Sequence, residues 1–393
     1  MTATGARRVL VLNAGSSSLK CSVYAGTEPH WSGQVEGIGS QPRFVNNGRV
    51  DPTADPLPAK ATHGESLGWL LQALERDGMA VGDFAACGHR IVHGGARFVQ
   101  PLVVDGDHLG ALNALRALAP LHNGFGLDAI EALRHAAPAM AQVACFDTAF
   151  HATQPELASR YALPAELHEA GYRRYGFHGL NYEHVVGEVA LLSGGAVPSR
   201  LLIFHLGNGC SAAAVLDGRS VATTMGYSTL DGLDMGTRSG SIDPGVLLAL
   251  QRDRGMSVDE VGELLYRRSG LLGLSGEASD MRALEGSSAP GSRFAVEHFA
   301  YWAARHAGSL AVAMGGLDAV AFSGGIGTGS ASVRARILGH LAWLGIDVDA
   351  ECNARGEKRV TTATSRCPAW IIGANEERVI ARHVAQTLWG SAQ

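Results

Sequence analysis

The chain is poor in paired cysteines, in lysine and in long apolar runs, and each shortage excludes a class of protein. Its six cysteines (Cys21, Cys87, Cys145, Cys210, Cys352 and Cys367) form no CxxC pair and no zinc-ligand spacing. A disulfide framework or zinc site is therefore not expected, and several of the thiols lie in apolar, strand-like runs where free buried cysteines are common. Of the 32 basic residues only Lys20, Lys60 and Lys358 are lysines. The remaining arginines suit planar, two-pronged contacts to phosphate and carboxylate. The net charge of −5 lacks the basic excess of a general nucleic-acid binder, so no nucleic-acid partner is expected. No stretch approaches the roughly 18 apolar residues of a membrane helix. After Arg7 and Arg8 only a four-residue apolar run follows, too short for a signal-peptide core. A soluble, cytoplasmic protein with no membrane association is the expectation.

What is present is a globular composition, 46% hydrophobic and 18% charged over 393 residues, enough for two compact domains. Residues 8–24, RVLVLNAGSSSLKCSVY, predict a strand, a Gly/Ser turn and a second strand. Residues 201–217, LLIFHLGNGCSAAAVLD, repeat that pattern around a G-N-G turn. Helical spacing marks 66–76, 107–118, 125–135, 181–192, 243–252, 293–314 and 375–389. Apolar strand-like runs occupy 86–92, 141–146, 318–323 and 368–372. The alternation predicts an α/β fold, with a domain boundary close to Phe150. The expected division is residues 1–149 and 150–374, with a C-terminal helix at 375–393 packing back on the first domain.

Several motifs point to phosphate chemistry. Asn13, Gly15, Ser16, Ser17 and Ser18 offer backbone amides and hydroxyls at a tight turn, and Lys20 adds a point charge. In HLGNG, Gly207 and Gly209 carry no side chain, so backbone can approach an anion there. Arg90 and His93 lie in HRIVHGG, and Arg238 in MGTRSGSIDPG; both arginines are read as loop residues, where binding groups concentrate. His178 lies in RYGFHG. Asp147 ends the strand-like AQVACFD and precedes Thr148, a candidate helix cap.

The ordered series VLNAGSSSLK, HRIVHGG, LAPLHN, FDTAFH, RYGFHG, HLGNG, MGTRSG, SDMR, GGIG and NEE, over roughly residues 8–385, resembles the acetate kinase family. That family belongs to the superfamily of acetate and sugar kinases, actin and the large heat-shock ATPases. The resemblance implies two ribonuclease-H-like (actin-like ATPase) domains with an active-site cleft between them. It implies reversible, Mg²⁺-dependent (or Mn²⁺-dependent) transfer of the ATP γ-phosphate to acetate, giving acetyl phosphate and ADP, by a homodimer whose partners are a small carboxylate and a nucleotide. Asn13 and Glu376 resemble metal ligands, acting mostly through water. Arg90, Asp147, His178 and Arg238 resemble the catalytic set. Val92, Leu121, Phe177 and Thr229 resemble the acyl pocket. Lys20, the turn His205, Leu206, Gly207, Asn208 and Gly209, the segment Asp280, Met281 and Arg282, and the GGIG turn with Gly325, Ile326, Gly327, Thr328 and Gly329 resemble the nucleotide site.

A carboxylate is already a competent nucleophile, so such a reaction needs positioning and charge neutralisation rather than a strong base. Asp147 is accordingly expected to orient groups or metal. Thr229 stands where the family usually has proline, and Thr328 and Gly329 where it generally has Glu and Asn. A propionate or butyrate kinase of the same family is the nearest alternative. A sugar kinase would need Asp147 as a base, and a non-enzymatic ATP-gated clamp would not need the kinase features HRIVHGG and RYGFHG.

Overall fold

The computed structural model describes residues 7–15, 17–46, 49–50, 57–117 and 123–390. Ser16 and Leu121, both singled out above, lie outside the described residues. The chain divides into two compact units, Met1–Ala149 with Asn375–Gln393, and Phe150–Ala374.

The first unit is built on a sheet of β1 (Arg8–Ala14), β2 (Ser18–Ala25), β3 (Glu28–Glu36), β4 (Arg43–Asn46), β5 (Arg49–Val50), β6 (Ala86–Ile91), β7 (Leu102–Val103) and β8 (Ala141–Phe146). Its order is β5-β4-β3-β2-β1-β6-β8-β7. β1, β2 and β3 form an antiparallel meander, and β6 and β8 continue the sheet parallel to β1. β1 is an unbroken buried run, as a central strand covered on both faces must be. The helix His63–Arg76 starts at a capping box between Thr62 and Glu65. It buries Leu67, Trp69, Leu70 and Leu74 in a core with Leu10, Leu12 and Val35.

The helix Glu376–Trp389 packs on β1 and β6, capped by the Asn375 side chain. Gly88 lets it come close, because a Cβ there would stand 2.5 Å from Ile380 Cγ2. This packing brings the start of that helix to the end of β1.

The second unit repeats the topology with β9 (Arg200–Leu206), β10 (Cys210–Leu216), β11 (Arg219–Thr223), β12 (Ala319–Ser323) and β13 (Ala369–Ile371), in the order β11-β10-β9-β12-β13. β9, β10 and β11 are an antiparallel meander, and β12 and β13 run parallel to β9. Five strands of each sheet therefore share one arrangement, the third, second, first, fourth and fifth strands side by side, which is the ribonuclease-H-like order expected above. The two motif hairpins are the first hairpin of each sheet.

Two local expectations, those for Arg90 and GGIG, need correction. Arg90 is a strand residue rather than a loop residue: β6 runs on to Ile91, paired through Arg90↔Cys145 and Ile91↔Phe146. Thr148 does stand just before a helix, the 3-10 turn Ala149–Thr153, and its hydroxyl accepts from the Gly94 amide at 3.0 Å. GGIG is no open turn but the start of a short helix, Gly324–Gly329. Gly324 leaves β12 at φ +77°, where a Cβ would lie 2.5 Å from the Leu206 carbonyl oxygen. Glycine alone can turn the chain into a helix so close to the neighbouring strand.

All six cysteines are free, five of them buried. Among the described residues no helix is long and apolar enough to cross a membrane.

Candidate active site

In the first unit the ends of three strands and one helix converge on a charged network. Asn13 Nδ2, near the end of β1, donates to Glu376 Oε2 and to Glu377 Oε1, both at 2.8 Å. Arg90 NH1 donates to Asn13 Oδ1 at 3.3 Å. The same guanidinium grips Asp147 Oδ2 through Nε at 3.0 Å and NH2 at 2.5 Å, and approaches Glu376 Oε2 at 3.5 Å. The Asp147 side chain is wholly buried, while that of Arg90 keeps 14% exposure. Burial works to lower the Arg90 pKa, but Asp147, then Glu376 and Glu377, hold it above its ordinary value. Lys20 faces Glu377 at 3.7 Å, and that carboxylate, opposed by burial, raises the lysine pKa.

His93 is a framework residue beside this network. Asn123 accepts from its amide and donates to its carbonyl, while His93 Nδ1 accepts from Gly95 N at 2.8 Å. Val92 is buried next to it.

Among the described residues no cluster of three or more His, Cys, Asp or Glu forms a metal cage. That donor set suits Mg²⁺, which keeps several waters and takes only one or two carboxylates from protein. Glu376 and Asn13 supply hard oxygen atoms of that kind.

In the second unit His178 sits in the left-handed region, φ +60°, at the start of the helix Gly179–Leu192. Such a conformation is costly for a non-glycine residue and is kept where surrounding contacts impose it. Its Nδ1 lies 2.8 Å from Ser211 Oγ, and Ser211 Oγ lies 2.5 Å from the Tyr182 hydroxyl. Assigning Tyr182 as donor to Ser211, and Ser211 as donor to Nδ1, puts the imidazole proton on Nε2. Burial raises the Tyr182 pKa, which keeps that hydroxyl protonated. The His178 ring stacks on His205 at 4.0 Å, and Asn181 Nδ2 reaches His205 Nδ1 at 2.8 Å.

Gly209 leaves space before this imidazole: a Cβ there would be 3.3 Å from His178 Nε2 and 3.8 Å from Arg238 NH1. Arg238 NH1 donates to the Thr229 carbonyl at 3.0 Å and contacts Met235 Sδ. No carboxylate among the described residues faces it, and burial lowers its pKa. A half-buried guanidinium without a carboxylate partner, next to glycine backbone, has the chemistry to receive an anion.

The glycine turn continues into a pocket of about 390 Å³. Of the expected nucleotide residues, Gly207, Asn208, Asp280, Met281, Arg282, Gly325, Ile326 and Gly329 line it. The others do not. His205 stacks on His178, Leu206 is buried strand, Thr328 Oγ1 donates back to the Gly324 carbonyl, and the Gly327 carbonyl accepts from Arg334. Lys20 belongs to the first unit, paired with Glu377. Of the acyl-pocket residues, Phe177 and Thr229 are buried in the second unit and Val92 in the first.

Four supporting residues escape a reading of the sequence. Ser279 and Ser330 line the pocket, Ser211 sets the His178 tautomer, and Arg334 holds the Gly324–Gly329 helix. Ser279 opens the SDMR motif and Ser211 lies in the second motif hairpin, while Ser330, three residues before Val333, carried the signal of an N-cap.

Two ribonuclease-H-like sheets, one ending in an acid–arginine network and the other in a glycine-lined anion pocket, are the build of a phosphotransferase of the actin-like ATPase class. The chain belongs to the Acetokinase family, whose sequence profile matches residues 8–382. It is 45% identical to an acetate kinase of Rhodopseudomonas palustris (strain TIE-1) over 387 residues, 96% of this chain and 97% of that protein. Among solved structures, a propionate kinase from Francisella tularensis superposes with a TM-score of 0.87 at 34% identity, covering 96% of this chain and 98% of that one. An acetate kinase from Porphyromonas gingivalis superposes with a TM-score of 0.84 at 31% identity, over 96% and 98%.

Proposed function

We propose that this enzyme transfers the γ-phosphate of ATP to acetate, reversibly, giving acetyl phosphate and ADP. The observation that carries the reading is Arg238, a half-buried cation held by a carbonyl and a thioether instead of a carboxylate. Its charge is left for a ligand oxyanion. His178 Nε2, with its proton directed by the Ser211 and Tyr182 hydroxyls, donates to the same phosphoryl group as charge develops on it. The glycine backbone at Gly207 and Gly209 lets the donor phosphates approach without steric conflict.

Arg90 neutralises the acceptor carboxylate, and Asp147 keeps its guanidinium aimed. That use of Asp147 favours a carboxylate over an alcohol as acceptor, because a carboxylate ground into a two-pronged arginine contact is a poor base. Glu376 and Asn13 would hold Mg²⁺, which supplies charge neutralisation between donor phosphates. Transfer is direct and in line, since no second nucleophile is needed.

Propionate is the second reading, supported by the propionate kinase superposed above. One methylene is worth only about 1–3 kcal/mol in a pocket, so the acids should differ in degree. A hydroxamate assay over acetate, propionate and butyrate, each with ATP, GTP and pyrophosphate, tests the proposal. Turnover highest with acetate and ATP is expected; phosphorylation of glucose and none of any acid would overturn it.

The homodimer implied by the family finds support in the helix Pro244–Arg254, which buries none of its residues and leaves Leu248 64% exposed. Light scattering of a Leu248→Glu variant should give a monomer where the parent gives a dimer.

A further inference from the structure

A second cavity, of about 700 Å³, adjoins the nucleotide pocket in the second unit and shares Gly329 and Ser330 with it. It is larger than the pocket itself. Which end of a nucleotide would meet it follows from the charges. The Gly207–Gly209 turn, beside Arg238 and His178, is the phosphate end. Gly329 and Ser330, shared with the second cavity, mark the other end, and Met281 and Ile326 give the pocket apolar contacts for the flat faces of a base.

A purine leaves its ribose through N9, so the edge carrying C2, N1 and C6 advances toward Gly329. The side chains at positions 328–330 leave that way open. A Cβ on Gly329 would meet no atom within 4 Å, Thr328 Oγ1 is turned back on the Gly324 carbonyl, and Ser330 Oγ is occupied by Glu285 Oε1 at 2.6 Å and the Val333 amide at 3.0 Å.

The cavity beyond has an apolar wall of Leu284, Phe294 and Val296. Its charged groups are largely self-compensated: Arg336 is paired with Glu297, and Glu285 is engaged by Ser330. Arg293 stands exposed next to Phe294. Apolar wall and compensated charge favour an uncharged aromatic group over a further phosphate, with the Arg293 guanidinium able to lie over its face.

We propose that this cavity is an extension of the donor site that accepts purine nucleoside triphosphates enlarged by an apolar or aromatic group on the C2–N1–C6 edge of the base. The inference rests on the reading of the first pocket as the nucleotide site.

The test compares ATP, N6-benzyl-ATP and 2-hexylthio-ATP as donors with acetate, in the parent enzyme and in Ser332→Trp. Ser332 lies on the wall of the second cavity, outside the first pocket, at an exposed second position of the helix Ala331–His340. At least one enlarged donor should work in the parent with a KM within about threefold of ATP. The Trp variant should raise that KM tenfold or more while leaving the KM and kcat for ATP within about twofold.

If ATP works and both enlarged donors are refused, the extension is overturned and the donor site stands. Use of an enlarged donor with no selective loss in Ser332→Trp also overturns it, since the substituent then lies elsewhere. If ATP itself is no donor, the reading of the first pocket fails and the extension falls with it. Calorimetric binding of N6-benzyl-ADP to the parent keeps the question decidable should the variant not fold, with failure to bind where ADP binds again overturning the extension.

Discussion

Nε2 of His151 donates to the carbonyl oxygen of Phe177 at 3.0 Å, one residue before the left-handed His178. Its Nδ1 accepts from the Ser220 hydroxyl at 2.8 Å, and the ring fills the space that a Cβ on Gly176 would take. His151 is thus a positioning residue for His178. His151→Phe should lower kcat on the order of 10- to 100-fold with the KM for ATP changed less than about threefold, because small misplacements of a transition-state donor are costly. His151→Gln, which can still donate to Phe177, should recover part of the loss. Equal kcat in both variants would show that the contact serves stability alone.

Two of the buried histidines, His89 and His151, have their pKa lowered by burial to about 4. A base with a depressed folded pKa stays neutral while the unfolded chain takes up a proton below its ordinary value of about 6.5. Stability contributed this way is complete above about pH 6.5 and is lost as pH falls toward 4. Each histidine can add up to ~1.4 kcal/mol per pH unit to the slope in that window. Urea midpoints between pH 4 and 7 should fall with acidification, and His89→Gln should flatten the fall for the first unit. An unchanged slope would show that His89 does not titrate in this way.

Arg90 and Arg238 should respond to removal in opposite ways. Arg238 has no carboxylate partner, so Arg238→Met removes an uncompensated, half-buried charge and should stabilise the fold by on the order of 1 kcal/mol, about 2–4 °C in Tm. Its kcat/KM should drop on the order of 10²- to 10³-fold. Arg90→Met instead strands the buried Asp147 carboxylate and should cost about 3–5 kcal/mol. Thermal scans beside kinetics separate the two; a destabilised Arg238→Met would mean that the guanidinium has a structural counter-charge.

Arg334 is buried and donates to the Gly327 and Thr328 carbonyls and to both the side chain and carbonyl of Asn353. It pins the helix that floors the nucleotide pocket. Arg334→Met takes a donor from four acceptors; the Asn353 carbonyl keeps the Gly356 amide, and each acceptor left unpaired costs about 1–3 kcal/mol if no water replaces the donor. The expected result is a lower Tm and a raised KM for ATP with the KM for acetate nearly unchanged, read from initial rates in the folded fraction.

Much of the scaffold was readable because its signals are local. β1 and β9 each carry a run of four apolar residues, 9–12 and 201–204, the turns after them are rich in glycine or serine, and the helices at 181–192 and 375–389 follow a 3.6-residue period. The helix Gly324–Gly329 escaped because four of its six residues are glycines, whose propensity argues against helix, and only its seat against Leu206 overrides that. Arg90 was misplaced for a similar reason. A charged residue at a strand end reads as loop until Asp147 and Glu376 are found beside it.

By itself the sequence determined the two sheets, the family and the residue types that could handle a phosphoryl group, since these follow from periodicity and from ordered motifs. Only the tertiary structure decided which charges are balanced. Lys20 faces Glu377, Arg90 is held by Asp147, and Arg238 is left without an acid. Those pairings join residues from distant strands and helices. Whether a cation serves the fold or waits for a substrate depends on its neighbours in space, which chain order does not encode.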